Sequence, residues 1–251
     1  MITPLALFVC FYLATFWILL WSRLGHFQWL AVASASTATL LTILLWNHGQ
    51  WDLGLSPRFA GRELAVGAAC GVVLIGCADV LIVSFTPLRH VRGNGFPVLE
   101  SLAVYVPAAL HEELVFRGYP YQLLRRVNRI FAIAMSSLVF AALHSGNEDV
   151  TLLGLVNVGL GGVILALAYE RYRRLWMPIG LHFAWNMMSG PVLGYDVSGF
   201  TSRQSLLLAI VKGPPLLTGG DFGIEGSILM TVTEIAAAAV LWRRGMLNVQ
   251  C

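Results

Sequence analysis

The 251-residue sequence has little charge: only 12% of its residues are Asp, Glu, Lys or Arg, whereas 57% are hydrophobic. Soluble domains carry about 25% charged residues, so roughly half of the usual charge is missing. The mean hydropathy is +0.74. A water-soluble fold of this length could not bury so many apolar side chains, and we expect an integral membrane protein.

Lysine is almost absent, since Lys212 is the only lysine among 16 basic residues. The formal net charge is only +3, and the arginines stand in short clusters between apolar runs. This pattern is typical of membrane topology signals and not of a nucleic-acid surface. The four cysteines form no framework that would indicate a disulfide-bonded fold.

Long apolar runs are what the sequence has in abundance. A membrane-spanning helix needs about 20 mostly apolar residues, and we count eight such runs, at 3–21, 28–46, 64–85, 98–118, 130–146, 151–169, 176–195 and 226–242. They predict an all-α fold in a single domain over 1–251, with about eight transmembrane helices enclosing a polar intramembrane cavity. The segment 205–211 is interpreted as a further re-entrant or interfacial piece.

The N-terminal run and the arginines predict how the chain lies in the membrane. No basic region precedes the first run and no small-residue cleavage site follows it, so we interpret it as a retained helix and not a signal peptide. Numbering the two sides alternately places 11 basic residues on the side of the N-terminus and 5 on the other. The positive-inside rule then predicts two cytoplasmic termini. We expect a multi-pass protein of a bacterial cytoplasmic membrane, with the lipid bilayer as its surroundings.

Three short polar stretches interrupt these apolar runs. The first is HEELVFRG, from His111 to Gly118; the second is FAALH, which ends at His144; the third is HFAWN, with His182 and Asn186. An ionisable residue inside a membrane helix costs about 3 kcal/mol and by default indicates a functional site. These stretches are therefore the candidates for the chemistry of the protein.

The spacing of the first stretch predicts that its two glutamates point in different directions. Residues four apart share a helix face, whereas neighbours point about 100° apart. Glu113 and Arg117 are therefore expected to stack and pair, while Glu112 points elsewhere and keeps its carboxylate free. His182 and Asn186 are also four apart and can line one cavity.

Depth along the predicted helices suggests that the stretches meet. We interpret Arg126 and Arg129 as marking one membrane boundary. Glu112 lies 14 residues before Arg126 and His144 lies 15 residues after Arg129, so both are expected roughly 20 Å from that boundary. The polar residues of the third stretch are expected roughly 12 to 18 Å inside the membrane.

The residue types favour hydrolysis by an activated water molecule. A free glutamate in a dehydrated pocket is a stronger base and can take a proton from water. A histidine opposite Glu112 could hold the same water or pass the proton to a leaving amine, and a second histidine with an asparagine amide could stabilise an oxyanion. No Ser or Cys nucleophile stands at a recognisable spacing from a base.

A zinc site is the alternative chemistry. His111 and Glu112 begin like the motif HExxH, but Val115 stands where its second histidine belongs, so that motif fails. Glu112, His144 and His182 could still form a set of two histidines and one glutamate around a metal. The spacing does not demand it, and both readings stay open from the residues alone.

The three stretches together resemble the CPBP intramembrane protease family, which includes the type II CAAX prenyl endopeptidases and the bacterial Abi proteins. The family pattern EExxxR, FxxxH, HxxxN is matched in order by EELVFR, FAALH and HFAWN. The resemblance covers roughly Leu99 to Met188, in a core of about 99–190. The first three runs and the last one match only in hydropathy.

The resemblance implies a role for each residue of the motifs. Glu112 would be the general base and would work with His144. His182 and Asn186 would form the oxyanion site, and Glu113 and Arg117 would support it. No cofactor is expected, with zinc as the alternative. The substrate would be a membrane-associated peptide or protein, such as a prenylated CAAX protein.

A function without hydrolysis is the competing interpretation. Members of the family of the bacteriocin-immunity type leave open a scaffold, immunity or ligand-binding role, because a fold does not fix a function. Two further polar residues, His111 and Asn157, are expected to pack or to form hydrogen bonds beside the site without taking part in catalysis.

Overall fold

The computed structural model describes residues 2–21, 27–201 and 204–247 of the chain, which are mostly helical. The helices are α1 (Ile2–Trp21), α2 (Phe27–Asn47), α3 (Ala60–Phe85), α4 (Val98–Phe116), α5 (Tyr119–Arg125), α6 (Arg129–Leu143), α7 (Leu152–Tyr172), α8 (Trp176–Met187), α9 (Pro215–Thr218) and α10 (Ile228–Leu247). Two short strands, β1 (Arg89–Arg92) and β2 (Leu207–Ile210), pair antiparallel.

Five helical segments of the described chain are long and apolar enough to cross a membrane. They are Ile2–Trp21, Phe27–Asn47, Pro57–Phe85, Arg129–Gly146 and Leu152–Tyr172. The prediction of an integral membrane protein is thereby supported, with five candidate spans. Each of the other three predicted runs also contains a helix, but α4 and α10 carry several charged residues and α8 has only 12 residues. For these three, a transmembrane position stays a prediction.

Two predicted runs end earlier than expected. The run 98–118 stops being helical after Phe116, and α5 begins anew at Tyr119 with Pro120 in its first turn, where a proline is best tolerated. The run 176–195 is α-helical only to Met187, and a π-helical turn containing Pro191 continues it. In both places proline fixes the boundary because it cannot donate a backbone hydrogen bond.

The segment 205–211, which is interpreted from the sequence as a re-entrant or interfacial piece, contains a strand in the structure. Leu207–Ile210 forms β2, and Ile210 is paired with Arg89 of β1. Both strands are partly exposed. The segment is extended because a neighbouring strand supplies its backbone hydrogen bonds, and the apolar composition alone does not reveal this partner.

The packing of the helices gives the molecule two distinct faces. Glycine lets α3 and α8 run parallel in close contact, since a Cβ on Gly67 would lie 2.1 Å from the carbonyl oxygen of Met177. The starts of these two helices are joined by an ion pair between Glu63 and Arg174. At the same level Glu170 of α7 binds three arginines, which are Arg125, Arg129 and Arg173. We call this the arginine-rich face.

The opposite face carries β1, β2 and the loops between helices; we call it the strand face. A loop after α6 and a loop after α8 are tied together there, because Asn147 donates to the carbonyl oxygen of Ser198. The backbone N–H of Ser205 donates to Asn94 beside the strands. The buried core between the two faces is built mainly from α3, α7, α8 and α10.

Candidate active site

Glu113 and Arg117 form an ion pair that is completely buried. Arg117 Nη1 donates to Glu113 Oε1 at 3.0 Å, and both side chains have no exposed surface. Arg117 Nη2 donates to the carbonyl oxygen of Gly162 at 2.9 Å. The guanidinium also lies 4.9 Å from the ring centre of Phe140, a favourable cation–π distance. The pairing expected from the i, i+4 spacing is therefore present.

His182 binds the same acid from α8. Its Nδ1 lies 2.8 Å from Glu113 Oε1, and because a carboxylate only accepts, Nδ1 is the donor. The other ring nitrogen, Nε2, lies 3.7 Å from Glu112 Oε2. His182 thus connects the two adjacent glutamates, a contact that the sequence did not predict.

Glu112 is the acid without a fixed partner. Its side chain is 24% exposed, and its Oε2 is buried but accepts no hydrogen bond. Glu113, one residue later, is held by Arg117 and His182. The structure therefore shows the division of the two acids that the spacing predicted: one is held in the wall, and one is available for a hydrogen bond.

His144 is the first residue after α6 and presents one ring nitrogen. Its Nδ1 lies 2.7 Å from the carbonyl oxygen of Phe140, and since a carbonyl only accepts, Nδ1 carries the proton. In the neutral ring Nε2 is then an acceptor. The Phe140 ring packs against both histidines, with centroids 4.6 Å from His144 and 6.1 Å from His182.

The four residues predicted to be catalytic line one cavity. Its volume is about 440 Å³, and Glu112, His144, His182 and Asn186 all contribute to its wall. A pocket of this size falls in the range that holds small molecules or short peptide segments. The structure thus brings three separate sequence motifs to one place, while Glu113 and Arg117 stand behind the wall.

Glu225 is a cavity residue that the sequence analysis missed. It lines the cavity, accepts from Trp185 Nε1 at 2.8 Å and also accepts from the hydroxyl of Ser198. Asn157 Nδ2 donates to its backbone oxygen at 2.7 Å, which is the packing role expected for Asn157. No motif marks Glu225, because it meets the site only through tertiary contacts.

His111 has a packing role beside the site. Its Nε2 lies 2.8 Å from the hydroxyl of Tyr12, and the two rings stack with centroids 5.8 Å apart. His111 is not among the residues that line the cavity. The contact fixes α1 against α4 next to Glu112.

A second, partly buried polar cluster joins α3 to the strand face. The Tyr195 hydroxyl donates to Asp79 Oδ1 at 2.6 Å, and His90 Nε2 lies 2.8 Å from the same oxygen. The cluster anchors β1 to α3 and does not contribute to the cavity.

The described residues do not present a metal site. Nowhere in 2–21, 27–201 and 204–247 do three or more His, Cys, Asp or Glu side chains come together in a way that could hold a metal ion. Glu112 and His182 are neighbours, but His144 does not complete such a set with them.

Comparisons with known proteins agree with the resemblance over the motif-bearing segment. Residues 94–188 match the sequence model of a family described as type II CAAX prenyl endopeptidase Rce1-like. This segment closely matches the predicted range, and the resemblance is confirmed over it. It contains all seven fixed positions of the three motifs, and it covers less than half of the chain.

A curated protein and the solved structures complete the comparison. The chain is 28% identical over 91 residues to UPF0177 protein YvdC of Lactococcus lactis subsp. lactis (strain IL1403). The aligned segment covers 36% of this chain and 34% of that protein. The match therefore spans only about a third of the relative. No solved structure matches the chain.

Proposed function

We propose that this protein is an intramembrane endopeptidase that hydrolyses a peptide bond of a membrane-associated or CAAX-type substrate with water activated by Glu112. The observation that carries the proposal is the pair of unlike acids at the cavity. Glu113 is neutralised by Arg117 in the wall, whereas Glu112 reaches the cavity with an oxygen that accepts no hydrogen bond. The family match at 94–188 supports a protease of this class.

The first chemical step is proton transfer from water to Glu112. As the water oxygen attacks the carbonyl carbon of the scissile bond, Glu112 takes one of its protons, a general-base step that contributes typically 10²–10⁴-fold. His144 Nε2 accepts a hydrogen bond from the O–H that remains on the attacking oxygen, because its Nδ1 donates to a backbone carbonyl. The C=O double bond becomes a C–O⁻ single bond.

The second step stabilises this oxyanion and expels the amine. The Asn186 amide and the N–H of His182 Nε2 donate to the oxyanion. Because His182 Nδ1 already donates to Glu113, the ring carries a proton on both nitrogens in this step. Glu112 then returns its proton to the leaving nitrogen as the C–N bond breaks. The products are a carboxylic acid and an amine.

Glu113 and Arg117 act on this chemistry by positioning His182. Glu113 Oε1 binds both Arg117 and His182, so the orientation of the imidazole depends on the ion pair. A preorganised donor of this type is worth about 10²–10³-fold in the turnover rate.

The test is cleavage of a fluorogenic library of membrane peptides by the purified protein in detergent. Glu112→Gln is expected to lower turnover at least about 10²-fold, and His144→Ala is expected to lower it too. Glu100→Gln is the matched control, because Glu100 lines the same cavity but is exposed. Each variant is measured with and without a strong chelator.

Three outcomes would contradict the proposal. Unchanged cleavage by Glu112→Gln would remove the glutamate from the mechanism. Loss of wild-type cleavage on chelation would favour a zinc-dependent mechanism over general-base catalysis by Glu112. Equal losses in Glu112→Gln and Glu100→Gln would indicate a general effect of cavity charge.

A further inference from the structure

Three arginines at the arginine-rich face surround one buried glutamate. The side chain of Glu170 is 1% exposed. Its Oε1 accepts from Arg125 Nε at 2.7 Å and from the hydroxyl of Tyr121 at 2.9 Å. Its Oε2 lies 3.2 Å from Arg129 Nε and 3.4 Å from Arg173 Nε. One carboxylate balances only one of the three guanidinium charges, so two positive charges are left over. We call these three arginines and the glutamate the Glu170 cluster.

Other acids at this face do not remove the excess of positive charge. Glu63 is already paired with Arg174, and Asp52 Oδ1 accepts from the backbone N–H of Gly54. Arg126, beside the cluster, adds a further positive charge. Because like charges at short distance repel one another, an anion from outside the chain would stabilise the cluster.

The guanidinium groups of the cluster have N–H groups to spare for such an anion. Each arginine comes closest to Glu170 with Nε, and the Nη groups form no hydrogen bond to any residue that the structure describes. Arg129 Nη2 is buried without an acceptor there, and the side chain of Arg173 is 46% exposed. Arginine binds a phosphate with two parallel N–H groups. The cluster therefore offers the donors that a phosphate requires.

The position of the cluster along the helices is that of lipid headgroups. Arg129 is the first residue of the candidate span Arg129–Gly146, and Glu170 lies two residues before the end of the candidate span Leu152–Tyr172. The guanidinium carbon of Arg129 lies 5.3 Å from the ring centre of Trp242, and tryptophan is enriched at the membrane interface. Lipid phosphates are therefore the anions that lie next to the cluster.

The surface that continues from Arg129 along α6 faces lipid. It exposes a row of large apolar side chains, which are Ile130, Phe131, Met135, Leu138 and Val139. A phospholipid whose acyl chains cover this surface holds its phosphate at the level of Arg129. A free phosphate ion or an acidic soluble protein would make no use of the apolar row. Of the possible anions, the arrangement favours a lipid.

We propose that the Glu170 cluster binds the phosphate of an anionic membrane phospholipid, with the Nη groups of Arg129 and Arg173 as the main donors. The lipid supplies the negative charge that the cluster lacks. A zwitterionic lipid is a poor substitute, because its positively charged amine cancels the phosphate charge and is repelled by the same arginines. The bound lipid links the start of α6 to the end of α7. The proposal is independent of the proposed hydrolysis.

The test measures lipid binding to the purified protein in an uncharged detergent by native mass spectrometry. Phosphatidylglycerol and phosphatidylcholine with identical acyl chains are titrated separately, and inorganic phosphate is added as a competitor. Phosphatidylglycerol should bind at least about tenfold more tightly than phosphatidylcholine, because two unbalanced arginines each contribute about fivefold. Inorganic phosphate at about 1 mM should not displace it, since the free ion lacks the acyl chains that hold the lipid in place.

Variants of the cluster identify the donors. Arg129→Gln and Arg173→Gln should each weaken phosphatidylglycerol binding about fivefold. Arg129→Lys keeps the charge without the fork and should recover only part of the affinity. Arg89→Gln on the strand face is the matched control, because Arg89 is exposed and the same charge is removed. Arg173 is the more exposed arginine, so Arg173→Gln still gives the test if Arg129→Gln does not fold.

Four outcomes would overturn the proposal. Equal affinity for the two lipids would show that the cluster does not recognise an anionic headgroup. Displacement by about 1 mM inorganic phosphate would assign the site to a free anion. Unchanged affinity in Arg129→Gln and Arg173→Gln would place the lipid elsewhere. Equal losses in Arg173→Gln and Arg89→Gln would indicate a general effect of surface charge. None of these outcomes bears on the hydrolysis proposed above, which is tested with Glu112→Gln.

Discussion

A single carboxylate oxygen, Glu113 Oε1, is shared by Arg117 Nη1 at 3.0 Å and by His182 Nδ1 at 2.8 Å. It joins α4 to α8 at a point from which water is excluded. The two adjacent acids of the chain thus have different surroundings: Glu113 binds two side chains, whereas Glu112 Oε2 accepts no hydrogen bond.

Removing Glu113 should destabilise the protein far more than removing Glu112. Glu113→Ala leaves the buried guanidinium of Arg117 without its counter-charge, which typically costs about 3–5 kcal/mol. Glu112→Ala removes a group whose Oε2 has no partner and should change the free energy of unfolding by less than about 1 kcal/mol. Thermal unfolding in one detergent compares the two variants, and equal losses would contradict the division of roles.

Arg117→Lys should fail to replace the arginine. The guanidinium binds Glu113 and the carbonyl oxygen of Gly162 with two different nitrogens, and a single ammonium group cannot reproduce this fork. At least one buried partner would lose its hydrogen bond, at a cost of about 1–3 kcal/mol. Arg58→Lys on the exposed surface is the control. Identical unfolding temperatures for the two variants would show that the fork is not needed.

Glu225 should position Trp185, and thereby the neighbouring Asn186. Glu225→Gln keeps an oxygen that can accept from the indole N–H, whereas Glu225→Ala leaves that buried N–H unpaired. We expect Glu225→Ala to lower kcat at least tenfold with little change in KM, and Glu225→Gln to retain most of the activity.

The control for this effect uses the Asn186→Ala background. If Glu225 acts through Asn186, Glu225→Ala should cause no further loss of kcat there, as expected for residues that act as one unit. Additive losses of kcat in the double variant would show that Glu225 does not act through Asn186. The indole N–H resonance of Trp185, observed by NMR, should shift in Glu225→Ala and reports the contact independently of activity.

The part of the site that spacing along one helix determines was predictable from the sequence. The pairing of Glu113 with Arg117 follows from their separation by four residues, and hydropathy located the helices. The contact between His182 and Glu113 joins α8 to α4. Because the two residues are far apart in the sequence, no local pattern predicts this contact. The same holds for Glu225, which lies outside the three motifs, and for β2, whose extended form depends on β1.

Close packing of α3 on α8 should depend on Gly67. A methyl group there would lie 2.1 Å from the carbonyl oxygen of Met177, which is backbone and cannot turn away. Gly67→Ala should therefore separate the helices and cost about 1–3 kcal/mol. Gly76→Ala is the matched control on the same helix, because nothing lies within 4 Å of the added methyl group. That variant should be as stable as the wild type or more stable, and equal destabilisation of both would contradict this account.

Glu234 should be a residue that weakens the fold of this protein. It has no exposed surface, and neither carboxyl oxygen has a hydrogen-bond partner. A buried polar group without partners costs about 1–3 kcal/mol, so Glu234→Leu is expected to raise the free energy of unfolding. Glu63→Leu is the control, since Glu63 is buried but paired with Arg174, and its loss should lower stability. A Glu234→Leu variant less stable than Glu63→Leu would show that the carboxyl of Glu234 has an essential partner. Glu234 Oε1 would lie 3.6 Å from a Cβ atom placed on Gly161, which lines the cavity. Water in the cavity would then be the first partner to test.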